Sequence, residues 1–142
     1  MITQVSTISS SAALQLAAAA LERAATDGLA VAVAICDPQG HVIASARMDA
    51  VTPPILDFAQ DKAFTAATMR RATAAFAERM ASSQSLTLGL STRSRLLPWG
   101  GGLPIVHGGK VIGGIGVSGA KDVEDITCAE AALGSLGLEW EV

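Results

Sequence analysis

The run from Leu29 to Cys36 constrains this chain more than any other stretch. Leu29, Val31, Val33 and Ile35 alternate with Ala30, Ala32, Ala34 and Cys36, so large side chains fall on one face and small ones on the other. The run reads as a strand buried on both sides. Asp37-Pro38-Gln39-Gly40 follows as a turn with Pro at its second position and Gly at its fourth, and a second alternating run, His41 to Met48, completes a predicted β-hairpin. Another hairpin is predicted from Leu103–Val106 and Lys110–Val117, joined across His107-Gly108-Gly109. In its second arm Gly114, Gly116 and Ser118 share one face. A face stripped of side chains lets a helix, a subunit or a ligand approach the backbone.

Around and between these hairpins the spacing changes to that of helices. Ser9 to Ser11 offer N-caps to a helix carrying Leu14, Leu16, Ala17, Ala20, Leu21 and Ala24, and Gly28 stands where a left-handed terminal residue belongs. Thr52 is a candidate cap, with proline in the first turn, for a helix reaching about Thr68, and a shorter one spans roughly Thr73 to Met80. Periodicity does not arbitrate between loop and short helix from Ser82 to Trp99. Asp122, Glu124 and Asp125 open a helix with Ile126, Ala129 and Leu133, after which Leu138, Trp140 and Val142 alternate as a short terminal strand. The order predicts an α/β (α+β) fold, a single domain over residues 1–142. Its core is an antiparallel sheet of about five strands with helices packed on it, rather than a doubly wound parallel sheet.

Composition narrows the function. Ten Lys and Arg against 13 Asp and Glu give a net charge of -3, leaving no basic excess for nucleic acid. No apolar stretch approaches the ~20 residues of a bilayer span and no basic segment precedes an apolar one at the N-terminus, so a cytoplasmic protein without membrane contact is expected. Cys36 and Cys128 read as two buried thiols in a reducing compartment. The 27 Ala and 14 Gly bury little apolar area per residue, at ~25 cal/mol per Å² only modest stability, which predicts a homo-oligomer.

Several segments, taken in order, carry a resemblance. They are Val31-Ala-Val-Ala-Ile-Cys-Asp37, Gly40-His-Val-Ile, Arg47-Met-Asp49, Asp61-Lys-Ala-Phe-Thr-Ala66, Trp99-Gly-Gly-Gly-Leu-Pro-Ile, the run from Gly108 to Gly119, and Asp125. Together, from Ser11 to Leu136, they resemble the GlcG/HbpS family, the haem-degrading domain family, which is related to the C-terminal domain of PduO-type proteins. The resemblance implies a profilin-like fold, an oligomer built from several such domains, and association with haem, corrinoid or small-acid metabolism in bacteria. Where members ligate haem, a histidine in or near the N-terminal helix is implicated; Ser11 to Asp27 contains none, which weakens haem as the cofactor.

Two ligand chemistries stay open. For haem, only His41 and His107 offer imidazole, with Met48, Cys36 and Met69 as softer ligands. His41 reads as a surface turn residue, whereas His107 divides evenly between that and a site role. Phe58, Phe64, Phe76, Trp99 and Trp140 are the only aromatic residues available to hold a porphyrin. For a small carboxylate, Arg47 supplies a fork, Lys62 a point charge, and Gly100-Gly101-Gly102 a nest of backbone N–H groups. On the competing reading Arg47 and Lys62 pair with Asp49, Asp57 or Asp61 at the surface and the glycines only permit a bend.

Other motifs carry less. Ser118-Gly-Ala-Lys121 lacks the partners of an acyl enzyme, the glycine run lacks a P-loop Lys-Ser/Thr, and three acids in a first helical turn suit the helix dipole, so no metal site is expected. The expectation is a small oligomeric protein binding a tetrapyrrole or a small carboxylate metabolite, with Trp99, Gly100, Gly101, Gly102 and His107 around the ligand. The alternative is an organic-cofactor-free enzyme of lyase, isomerase or hydrolase type acting on a small organic acid. It would use His107 or Lys62 as acid/base and Arg47 with the glycine amides to hold a developing anion.

Overall fold

In the computed structural model, which describes all 142 residues, the elements run α1 (Ser10–Thr26), β1 (Ala32–Cys36), β2 (Val42–Arg47), α2 (Pro53–Met69), α3 (Thr73–Met80), α4 (Gln84–Leu90), β3 (Gly102–His107), β4 (Lys110–Ser118) and α5 (Asp122–Ser135). Four strands form one sheet in the order β2-β1-β4-β3, every neighbouring pair antiparallel. The fold class is therefore the α+β one that the hairpin signals predict. A fifth strand is reduced to a single pair: Val106 and Glu139 exchange backbone hydrogen bonds at 2.8 and 3.1 Å. Pairing cannot spread further, because the β3–β4 register shifts between Ile105 and Val106 and the chain turns after His107.

The alternation in β1 sorts the two cores. Val31, Val33 and Ile35 join Ile115, Val117, Leu16 and Leu133 under α1 and α5. Ala32, Ala34 and Cys36 face α2 through Ala59, Ala63 and Ala67. Small residues on both surfaces let α2 lie almost against the backbone of β4. A Cβ placed on Gly116 would stand 2.0 Å from the carbonyl oxygen of Ala59, and one on Gly114 would stand 2.4 Å from that of Ala63. The bare strand face is thus covered by a helix of the same chain.

Local chemistry explains the boundaries. Ser9 caps α1, its hydroxyl accepting from Ala12 N at 3.1 Å, and Gly28 takes a φ of 70° just beyond the helix. Thr52 occupies the cap position of α2 without a capping hydrogen bond. Pro53 and Pro54 have no N–H to satisfy, so the hydroxyl has less to do there. The 82–98 segment contains α4, capped by Ser83 through Leu86 N at 3.2 Å. None of its residues is buried, which is why no apolar stripe marks it. No helix is long and apolar enough to cross a membrane.

Candidate functional site

The buried face of α2 follows helical spacing, and Ala59, Lys62, Ala63 and Ala66 all lie on it. Lys62 is therefore carried inside, 2% exposed, and Nζ donates to Val117 O at 2.9 Å and to Asp125 Oδ2 at 3.2 Å. Asp125 is 1% exposed, and its other oxygen accepts from Ala120 N at 3.1 Å. One ion pair thereby ties α2, β4 and α5 together. Burial pulls the Lys62 ammonium below its ordinary range, opposed by the attraction of Asp125, and burial raises the Asp125 carboxyl against the pull of Lys62.

The family resemblance marks Asp125 among the acids in the first turn of α5, but the sequence assigns it no partner. Glu124 accepts from Lys121 N at 3.0 Å, as an acid at that position should. Asp122 Oδ2 accepts from Gly100 N at 3.1 Å. The small-residue spacing around Lys62 was the one signal of a buried lysine needing an internal partner. That partner is neither Asp57 nor Asp61.

The glycine block lies directly over the pair. Gly101, at a φ of 123°, would place a Cβ 3.0 Å from Lys62 Nζ and 2.4 Å from Val117 O. Gly102 N donates to Thr73 Oγ1 at 2.9 Å. Two of the amides expected to receive an oxyanion are thus occupied by Asp122 and Thr73. Trp99, 45% exposed, meets Phe58 edge-on at 5.1 Å.

The other candidates sit on or beside the strands. His107 closes β3 at the end opposite Gly102, about 17 Å along an extended strand, and is exposed at the hairpin tip. Arg47 ends the edge strand β2, pairing in register with Ala32, which in turn pairs with Ser118 of β4. Its Nη1 donates to Val51 O at 2.6 Å, and it forms no ion pair with Asp49. His41 is exposed and sits 3.3 Å from Asp37. Cys36 is buried, its thiol pushed up to about 12 chiefly by burial and then by Asp37. Met48 Sδ accepts from Val31 N at 3.3 Å.

Met69 behaves differently from these. At the end of α2 it lines two adjoining cavities of about 470 and 360 Å³, which share Met69, Thr92, Arg93 and Leu96. Phe64 borders the first; Phe76, Met80, Leu86 and Leu90 border the second. A thioether, an apolar floor and a guanidinium are thereby brought to one groove on the α2–α3–α4 side.

A four-stranded antiparallel sheet with α2 seated on a glycine strand, and a Lys–Asp pair sealed beneath a Gly-Gly-Gly turn, are the features of this chain to set beside known proteins, and its class is that of haem-degrading proteins. The model described as "Haem degrading protein HbpS-like" matches residues 8–134, and the chain belongs to that family. It is 34% identical over 131 residues to an uncharacterised 15.0 kDa protein from the dhaT-dhaS intergenic region of Citrobacter freundii, covering 92% of each. With GlcG of Escherichia coli K12 it shares 34% over 111 residues, 78% of this chain and 81% of that one. Among solved structures, ORFY of Klebsiella pneumoniae superimposes with a TM-score of 0.88 at 34% identity, covering 97% of both chains. A PduOC–haem complex gives 0.87 at 27%, over 96% of this chain and 99% of that one.

Proposed function

We propose that this chain is a tetrapyrrole-binding protein whose haem contact is the groove at Met69. The observation that carries the reading is the joining of two cavities around a half-exposed thioether, with apolar walls and Arg93 at the rim. The residues suit the group. A thioether is an accepted axial ligand of haem iron, Phe76, Leu86, Leu90 and Leu96 match a porphyrin face, and a guanidinium pairs with a propionate. Bound there, haem would supply an iron centre with its own redox and light-absorbing chemistry. The family and the haem complex of its structural neighbour support this ligand class over a free carboxylate in the glycine block, where the Gly100 and Gly102 amides are already engaged.

The enzyme alternative draws less support. Acid/base chemistry needs groups that meet at one reacting atom, and Lys62 is sealed against Asp125, His107 lies at the far end of β3, and Arg47 stands on the edge strand β2 with its Nη1 on Val51 O. The reading retains a cytoplasmic homo-oligomer, and light scattering at micromolar concentration checks the assembly.

Haemin titration followed at its Soret band tests the site. Met69→Ala should weaken binding tenfold or more, and Arg93→Gln by a smaller factor, while His107→Ala leaves it unchanged. Tight binding lost in His107→Ala and kept in Met69→Ala would move the ligand to the β3–β4 hairpin and overturn the assignment.

A further inference from the structure

On the side of α2 toward the β1–β2 turn lies a cleft of about 580 Å³ whose lining is almost wholly polar: Gly40, His41, Asp57, Gln60, Asp61 and Arg95, with Val42 the one apolar residue. Arg95 is held there from several directions. Its backbone takes a φ of 71°, unusual for a side-chain-bearing residue. Its carbonyl accepts from Thr65 Oγ1 at 3.1 Å, and the same hydroxyl receives Leu97 N at 2.9 Å. The guanidinium lies over the Phe64 ring at 4.1 Å, and Nε donates to Asp61 Oδ1 at 3.2 Å. This anchoring uses Nε and leaves the outer edge, Nη1 and Nη2, without a partner. That edge is the fork with which arginine receives a carboxylate.

Asp57 supplies the complementary group. It stands one helical turn before Asp61, about 6 Å along the same face of α2, and makes neither an ion pair nor a hydrogen bond. Asp37 accepts from Gln39 N and His41 N at 2.8 and 3.0 Å, which fixes the turn carrying His41 at the cleft mouth. The charges discriminate between ligands. A simple anion would meet Asp57 and Asp61 as well as Arg95, and a simple cation would meet Arg95 as well as Asp57. A ligand with both charges a few ångströms apart satisfies each free group at once.

We propose that this cleft is a second ligand site and takes a small zwitterionic amino acid, its carboxylate on the free edge of Arg95 and its ammonium on Asp57. The assignment is independent of the haem groove, with which the cleft shares no lining residue.

Chemical-shift titration of the full chain with glycine, L-alanine and L-serine, and with acetate and ethylammonium as half-ligands, tests it. The amino acids should shift the His41 ring and Arg95 Nε signals and saturate at about 10 mM or below, with each half-ligand at least tenfold weaker. Asp57→Asn removes an exposed, unpartnered carboxylate, so the fold is retained. It should lose tenfold or more for the amino acids while holding acetate equally or more tightly. Arg95→Gln should lose both classes, and Arg95→Lys should recover part. Haemin binding by Asp57→Asn should equal that of the wild type. No saturable shift with any of the three amino acids, acetate binding as tight as theirs, or an unchanged affinity in Asp57→Asn would each overturn the proposal.

Discussion

Replacing Gly116 by alanine adds a single methyl group at the tightest contact between α2 and the sheet. That carbon would lie 2.0 Å from Ala59 O, 2.6 Å from Ala63 N and 3.0 Å from Lys62 Cβ. The first distance is ~1.4 Å inside ordinary van der Waals contact. Two of the three obstacles are helix backbone, so no side-chain rotation relieves them. Either α2 shifts as a body or β4 does, and a shift of α2 also pulls Lys62 from Val117 O and Asp125. Overpacking a well-filled core costs about 1 to 3 kcal/mol, and a displaced helix puts this case at or above the upper end. For a chain of 142 residues, about 3 kcal/mol corresponds to a fall in melting temperature of roughly 10 °C. Valine would be worse despite its strand propensity. Gly134→Ala is the internal control. It lies in α5 with nothing within 4 Å of the added carbon, and it should stabilise by about 0.5 to 1 kcal/mol through helix propensity. Paired thermal melts by circular dichroism read both effects. A Gly116→Ala melting temperature within about 2 °C of wild type would show that α2 is not seated on β4 as described.

Two further expectations concern buried ionisable groups. Lys62→Met should destabilise by about 3 to 5 kcal/mol because it leaves Asp125 buried without its counter-charge, whereas Lys62→Met with Asp125→Leu should restore most of that loss; urea melts of the three proteins check the order. Because the Cys36 thiol is raised from 9.0 to about 12, the native state holds its proton where the unfolded chain releases it. Its contribution to stability is therefore full below pH 9 and is lost as the pH rises toward 12, with a limiting slope of about 1.4 kcal/mol per pH unit. Between pH 8 and 10 the urea midpoint should fall more for wild type than for Cys36→Val, and parallel pH profiles would contradict the assignment.

The strands and most helices were legible in the sequence because their signals are local. Leu29 to Cys36 alternates with period two, Asp37 to Gly40 spells a turn, and Ser9 and Gly28 bracket a helix, each within a few residues of the element it shapes. The family was legible for a related reason, since its glycines and turns keep their order along the chain. What tertiary structure alone decided was which residues meet. Lys62 and Asp125 are 63 positions apart, and only the seating of α2 on Gly114 and Gly116 brings them into contact. His107 is close to the glycine block along the chain yet distant in space, because an extended strand carries five residues about 17 Å. The alternation of Leu138, Trp140 and Val142 predicts a fifth strand, but pairing requires a partner edge, and β3 offers one residue pair before it turns. The cleft of Arg95 and the groove of Met69 assemble from segments whose polar and half-exposed side chains leave no periodic trace. Periodicity records burial against a regular neighbour, and these residues face open space instead.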